Sequence, residues 1–178
     1  APELKIGHTV AEGSPIDMLL EMSHDVTMIV MGSRGMGGLS GMVMGSVSAS
    51  VVSHASCPVV VVREDNHVTD STKYGPVVVG VDGSETSRRA FDFALEEARL
   101  HDAPLHVMFC WQLKDLGVIP GYENAVAPVK VGQRRAEEIL SELMAKARIP
   151  DGVKVSTNAF HIPASKGLIA ASRYASHL

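Results

Sequence analysis

Strand-length apolar runs separated by helix-length segments recur from one end of the chain to the other, and that alternation limits the fold more than any other feature. The plainest run is Pro58-Val59-Val60-Val61-Val62. It is strongly β-prone and far short of the roughly 20 apolar residues that a membrane helix needs. Such runs alternating with helical segments are the signature of βαβ units in a parallel sheet covered on both faces. The expected fold class is α/β, a Rossmann-like open parallel sheet with helices on both faces.

Lys5 to Val10 reads as a strand, and Gly13-Ser14-Pro15 then opens a helix with proline in its first turn. That helix carries Ile16, Leu19, Leu20 and Val26 on or near one face. Thr27 to Met31 is a buried strand ending on Gly32, followed by a glycine-rich loop, a helix from about Gly45 to Ala55, and the valine strand. Residues 63–75 are polar, aperiodic and rich in turn formers, which makes them a linker. The pattern then restarts. Pro76 to Val81 is a strand, Asp82-Gly83-Ser84 a turn with Ser84 as N-cap, and Glu85 to Leu100 a helix burying Ala90, Phe91, Ala94, Leu95 and Ala98. Leu105 to Cys110 is the next strand and Trp111 to Tyr122 a loop. Val129 to Ala147 is an amphipathic helix, Val153 to Ala159 a strand, and Lys166 to Tyr174 a helix.

Residues 5–28 recur weakly as residues 153–178, a period of about 150 residues, which is one α/β domain length. The chain lacks an initiator Met, and Ser176-His177-Leu178 stops within an apolar pattern, so a piece of a longer tandem protein is expected.

Composition removes several function classes. With 46% hydrophobic residues the chain can pack a core, and a net charge of -4 with both signs interspersed argues against nucleic-acid or anionic-membrane partners. Cys57 and Cys110 cannot form a disulfide framework, no signal peptide opens the chain, and a cytoplasmic location is expected.

The strongest chemical motif is Gly32-Ser33-Arg34-Gly35, nine residues, then Gly45-Ser46, leaving a buried strand and entering a helix. Glycines there permit positive φ and let backbone amides approach a polyphosphate, while a helix start adds unpaired N–H groups and a hydroxyl. A tight β–α turn with no ligand is the alternative. No Walker lysine follows the glycines. Ser40 spoils the dinucleotide fingerprint that Gly35-Met36-Gly37 would begin, and the kinase motifs are absent.

The remaining features have ordinary readings. The eight histidines include no H-x3-H pair with a third ligand, so no metal site is assigned. Met36, Met42 and Met44 suit flexible packing, and Glu96-Glu97 and Glu137-Glu138 suit solvated helix faces. Ser46 and Ser48 are possible phosphorylation sites, although serine is common at a helix start.

The spacing G-x2-G-x9-G-[ST], the run Val77-Val78-Val79-Gly80-Val81-Asp82-Gly83-Ser84-Glu85, and the valine strand after the glycine helix together resemble the universal stress protein family. The resemblance covers essentially the whole chain. It implies that residues 1–64 are the C-terminal part of one universal stress domain, 65–75 a linker, and 76–178 the N-terminal part of the next. By the same resemblance ATP is the cofactor, with Mg2+ as an optional companion. The triphosphate would lie on Gly32, Ser33, Arg34, Gly35, Gly45 and Ser46. Asp82 would meet the ribose or metal, and Cys110 would stand where an apolar residue contacts adenine.

Asp82-Gly83-Ser84 could equally be a capped turn, and Cys110 a small buried hydrophobe. Family members pair domains or chains through the strand equivalent to Pro58 to Val62, so a homo-oligomer is expected. The glycine loop and Asp82 could form one composite site or belong to separate lobes, and the independent folding of tandem domains favours the lobes. With no catalytic acid–base pair or activated nucleophile in view, the expected function is an ATP-binding, nucleotide-responsive regulatory module. A nucleotide-free dimerisation module and a slow ATPase or autophosphorylating protein are the alternatives.

Overall fold

The structure is a computed structural model and describes residues 4–33, 44–62 and 75–178. The chain divides into two compact units, residues 1–66 and 67–178.

In the first unit α1 (Pro15–Met22) is followed by β1 (Ile29–Gly32), α2 (Ser46–His54) and β2 (Val59–Val62). The Ser14 hydroxyl accepts from the Asp17 amide at 3.4 Å, and Pro15 enters where its missing N–H costs nothing. β1 and β2 are parallel, with Ile29 opposite Val59 and Gly32 opposite Val62. Val51 of α2 is fully buried. Ser23, just beyond α1, donates to the Leu20 carbonyl at 2.6 Å and accepts from the Ser56 amide at 2.9 Å, tying the end of α1 to the turn before β2.

Lys5 to Val10 is not a strand: it makes no ladder among the described residues, and Ile6 and Val10 are 87% and 96% exposed. The reason lies in its counterpart. In the second unit β5 (Val155–Phe160), the segment that the expected repeat would align with it, pairs with β4 (Leu105–Cys110). Among the described residues the first unit's sheet consists of β1 and β2. An apolar alternation without a neighbouring strand leaves its backbone groups to water.

The second unit is built on the three-stranded parallel sheet β3-β4-β5, with β3 (Val77–Gly80) at one side and β4 in the middle. Val77 faces Leu105 and Leu105 faces Val155 across the two ladders. α3 (Glu85–Leu100) and α4 (Val129–Lys146) cover one face, burying Val77, Val79, Leu105, Val107 and Phe109 against Phe91, Leu95 and Leu140. The alternate residues Val78, Met108 and Cys110 meet α5 (Ala164–Ala171) on the other face. Gly80 allows α5 to lie close, because a Cβ there would stand 3.0 Å from Leu168.

Two details differ from the sequence reading. Ala90 is exposed, on the solvent side of α3, while Phe91, Ala94, Leu95 and Ala98 form its buried stripe. α5 spans Ala164–Ala171 rather than Lys166 to Tyr174, starting directly after Pro163. The backbone then runs to Ser176 and His177, where the Val78 amide donates to the His177 carbonyl and the Ser176 amide to the Pro76 carbonyl. This parallel bridge starts a further pairing on the free side of β3.

Candidate functional site

The glycine motif leaves the carboxyl end of β1. The Ser33 amide continues the ladder to the Val62 carbonyl at 2.9 Å, and the Ser33 carbonyl accepts from the Gly45 amide at 2.8 Å. The chain therefore leaves and re-enters at neighbouring points. Ser48, buried in the first turn of α2, donates from its hydroxyl to the Gly32 carbonyl at 2.9 Å, which fastens that turn above the end of β1. Gly32, Ser33, Gly45 and Ser46 are thus brought together. Arg34 and Gly35 lie outside the described residues.

Gly45 is the N-cap of α2 with φ −72° and ψ 155°. The expected left-handed turn is absent at this position, because the residue only needs an extended conformation to start the helix. What glycine contributes is a missing side chain. Among the described residues no side-chain group caps α2, and its first-turn amides have no intrahelical acceptor. Such amides, together with the helix dipole, favour an anion.

In the second unit Asp82 and Cys110 stand at the carboxyl ends of β3 and β4. The register matches Gly80 with Met108, and the Val81 amide donates to the Met108 carbonyl, so both residues reach the same end of the sheet. Gly83 turns the chain there with φ +85°, a conformation that side chains rarely adopt. Asp82 Oδ1 accepts from the Ser84 amide at 2.9 Å, and the Ser84 hydroxyl accepts from the Ser87 amide at 3.1 Å as N-cap of α3. The Ser84 hydrogen bond holds the Asp82 carboxyl below its ordinary value, so it is ionised at neutral pH. Its local role is to brace the turn, and Oδ1 is the oxygen so engaged.

Cys110 is half-buried between β4 and Gly167 of α5, where burial pushes its thiol pKa up. It is a neutral, soft apolar surface rather than a reactive thiolate. Trp111, the next residue, lies in the loop that the sequence places there and is nevertheless fully buried. Its indole N–H donates to Gln133 at 3.1 Å, and its ring stacks on His161 with centroids 4.3 Å apart. One tryptophan in a glycine- and proline-bearing stretch carries no periodic signal of burial. A shallow depression beside the turn is lined by Gly83, Ser84, Arg88, Glu142 and Lys146, so two cations flank the start of α3.

The sequence model of the universal stress protein family matches residues 1–63 and 73–174. The universal stress protein Rv2005c of Mycobacterium tuberculosis is 32% identical over 151 residues, 84% of this chain and 50% of that protein. Rv2623 of the same organism is 32% identical over 136 residues, covering 76% of this chain and 44% of its own. A universal stress protein structure from Archaeoglobus fulgidus superposes with a TM-score of 0.57 at 22% identity, covering 90% of this chain and 52% of that one. The chain spans about half the length of the curated relatives it matches.

Proposed function

The chain belongs to the universal stress protein family, and on that premise we propose that it binds ATP at the carboxyl ends of its parallel strands and acts as a nucleotide-responsive regulatory module. The observation that carries this reading is the first turn of α2, which has no side-chain cap among the described residues and is fastened by Ser48 over the end of β1. It supplies backbone donors for phosphate oxygens at the place where open α/β sheets hold ligands. Gly32, Ser33, Gly45 and Ser46, with Arg34 and Gly35, are the proposed phosphate-binding residues.

Asp82 and Cys110 are the proposed ribose and adenine contacts. Asp82 Oδ1 accepts from the Ser84 amide, and the ionised carboxylate is the group proposed to meet a ribose hydroxyl or Mg2+. A single carboxylate fits Mg2+ as one ligand among waters. Cys110 offers an uncharged sulfur to a base. The glycine residues belong to the first compact unit and Asp82 and Cys110 to the second. Occupancy would favour one conformation of the protein over another and so change its contacts, a coupling rather than a turnover. Among the described residues no helix is long and apolar enough to cross a membrane, and a cytoplasmic setting is part of the proposal.

Equilibrium binding of labelled ATP tests it. Gly45→Val leaves the extended N-cap conformation available but places a branched side chain among the donors. Affinity should fall at least ten-fold, about 1.4 kcal/mol. Unchanged affinity with an intact circular dichroism spectrum sinks the site. A second reading, a nucleotide-free association module, is favoured by one observation: Val60 and Val62 of β2 are 36% and 54% exposed. Absence of ATP binding together with self-association would decide for it.

A further inference from the structure

We propose that Glu97, His101 and His177 form a binding site for a divalent transition metal of the zinc class, at the end of the second unit's sheet opposite Asp82. One ligand atom from each of the three side chains lies within 4.8 Å of the other two. Glu97 and His101 stand one turn apart on α3 and its C-cap, with Glu97 Oε2 3.4 Å from His101 Nε2. His177 comes from the far end of the unit. It is held by the parallel bridge to Val77 at the start of β3, and its ring stacks on that of His101 with centroids 4.6 Å apart.

The hydrogen bonding selects the tautomer. The Ser176 hydroxyl donates to the Gly75 carbonyl at 2.8 Å, so towards His177 Nδ1, 3.2 Å away, it can only accept. Nδ1 then carries the proton and Nε2 presents a lone pair. This is the outer-sphere arrangement that prepares an imidazole for a metal. Zinc at ~2.0–2.1 Å from each ligand needs donor pairs about 3.3 Å apart. The Glu97–His101 pair already has that separation. The remaining approach is ~1.5 Å at most and requires the His101 ring to unstack from His177 and the side chains to turn towards a common point.

Two imidazoles and one carboxylate suit zinc, nickel or copper better than magnesium or calcium. The negative end of the α3 dipole lies at His101, which favours a cation there. Arg99, the nearest cation in sequence on α3, is paired away with Glu96. Water would complete the coordination. A bound ion would join the segment that begins the third pairing of the sheet to the end of α3. This site is separate from the nucleotide reading and stands or falls without it.

The test is calorimetric titration of the full 178-residue chain, free of any affinity tag, with Zn2+. One equivalent should bind, and Glu97→Gln, His101→Gln and His177→Gln should each weaken it at least ten-fold. His54→Gln, on α2, should leave it unchanged. All three site residues are accessible enough for the variants to fold, and circular dichroism checks that. Zinc-edge absorption should show two imidazoles and a carboxylate oxygen. Binding that survives His177→Gln, or no saturable binding up to about 1 mM, overturns the proposal, leaving Glu97 and His101 an i,i+4 helix pair.

Discussion

Gly132→Ala sets two effects of similar size against each other. Alanine is the better helix former by at most about 1 kcal/mol, and less in the first turn of α4, where Gly132 lies. A Cβ at that position would stand 2.6 and 2.8 Å from Cζ3 and Cη2 of Trp111, and 3.0 Å from Cδ2 of Leu113. Ordinary carbon contacts need about 3.5–4.0 Å, so ring and helix must separate by close to 1 Å. The indole cannot yield cheaply. It has no exposed surface, its N–H is bonded to Gln133 one residue further along α4, and His161 is stacked against its ring. Overpacking of this kind costs about 1–3 kcal/mol, so the net loss should be about 1–2 kcal/mol, or roughly 5–10 °C in the unfolding of a unit this size. The chain has one tryptophan, so urea unfolding followed by its fluorescence reports on the second unit directly. Trp111→Phe in the same background should recover part of the loss, read by circular dichroism. A Gly132→Ala protein as stable as the parent, or more so, would refute the packing argument.

Asp82→Ala should weaken ATP binding while leaving the fold intact at neutral pH; unfolding at saturating nucleotide would make the residue a structural brace alone. The folded pKa of Asp82 is depressed, so the carboxylate's stabilisation is complete above the unfolded value of about 4 and is lost as pH falls through the folded value. The stability difference between parent and Asp82→Ala should therefore shrink on acidification below pH 4 in urea titrations, and a difference that grows would contradict the hydrogen-bond assignment. Val60→Lys should shift any assembly towards smaller species in light scattering, since it charges the exposed face of β2. An unchanged mass places the interface elsewhere.

What the sequence disclosed depended on whether the signal was local. α3 was legible to the residue, because Ser84 caps it and the apolar positions 91, 94, 95 and 98 repeat at helical spacing. Ala90 was misread because alanine fits either side of a helix. β3 and β4 were legible as largely apolar runs, but Lys5 to Val10, which also reads as a strand, forms no ladder among the described residues, since pairing requires a neighbour that composition does not reveal. The helix start at Gly45 was legible, although its extended conformation was not. The bond from Ser48 to Gly32 and the burial of Trp111 had no sequence signature. Glu97, His101 and His177 escaped a search for paired histidines because the i,i+4 partner of His101 is a carboxylate, and His177 is placed by the sheet.

The bridge between Val77 and His177 also sets a timetable for synthesis. β3 emerges early and finds β4 soon afterwards, whereas the segment that starts to cover its other side is made about 100 residues later. At ~5–20 residues per second a ribosome needs roughly 5–20 s to reach it. Throughout that interval a valine-rich strand offers an unsatisfied row of amides and carbonyls to whatever passes. The exposure of that edge is thus a matter of translation speed as much as of the stability of the finished fold.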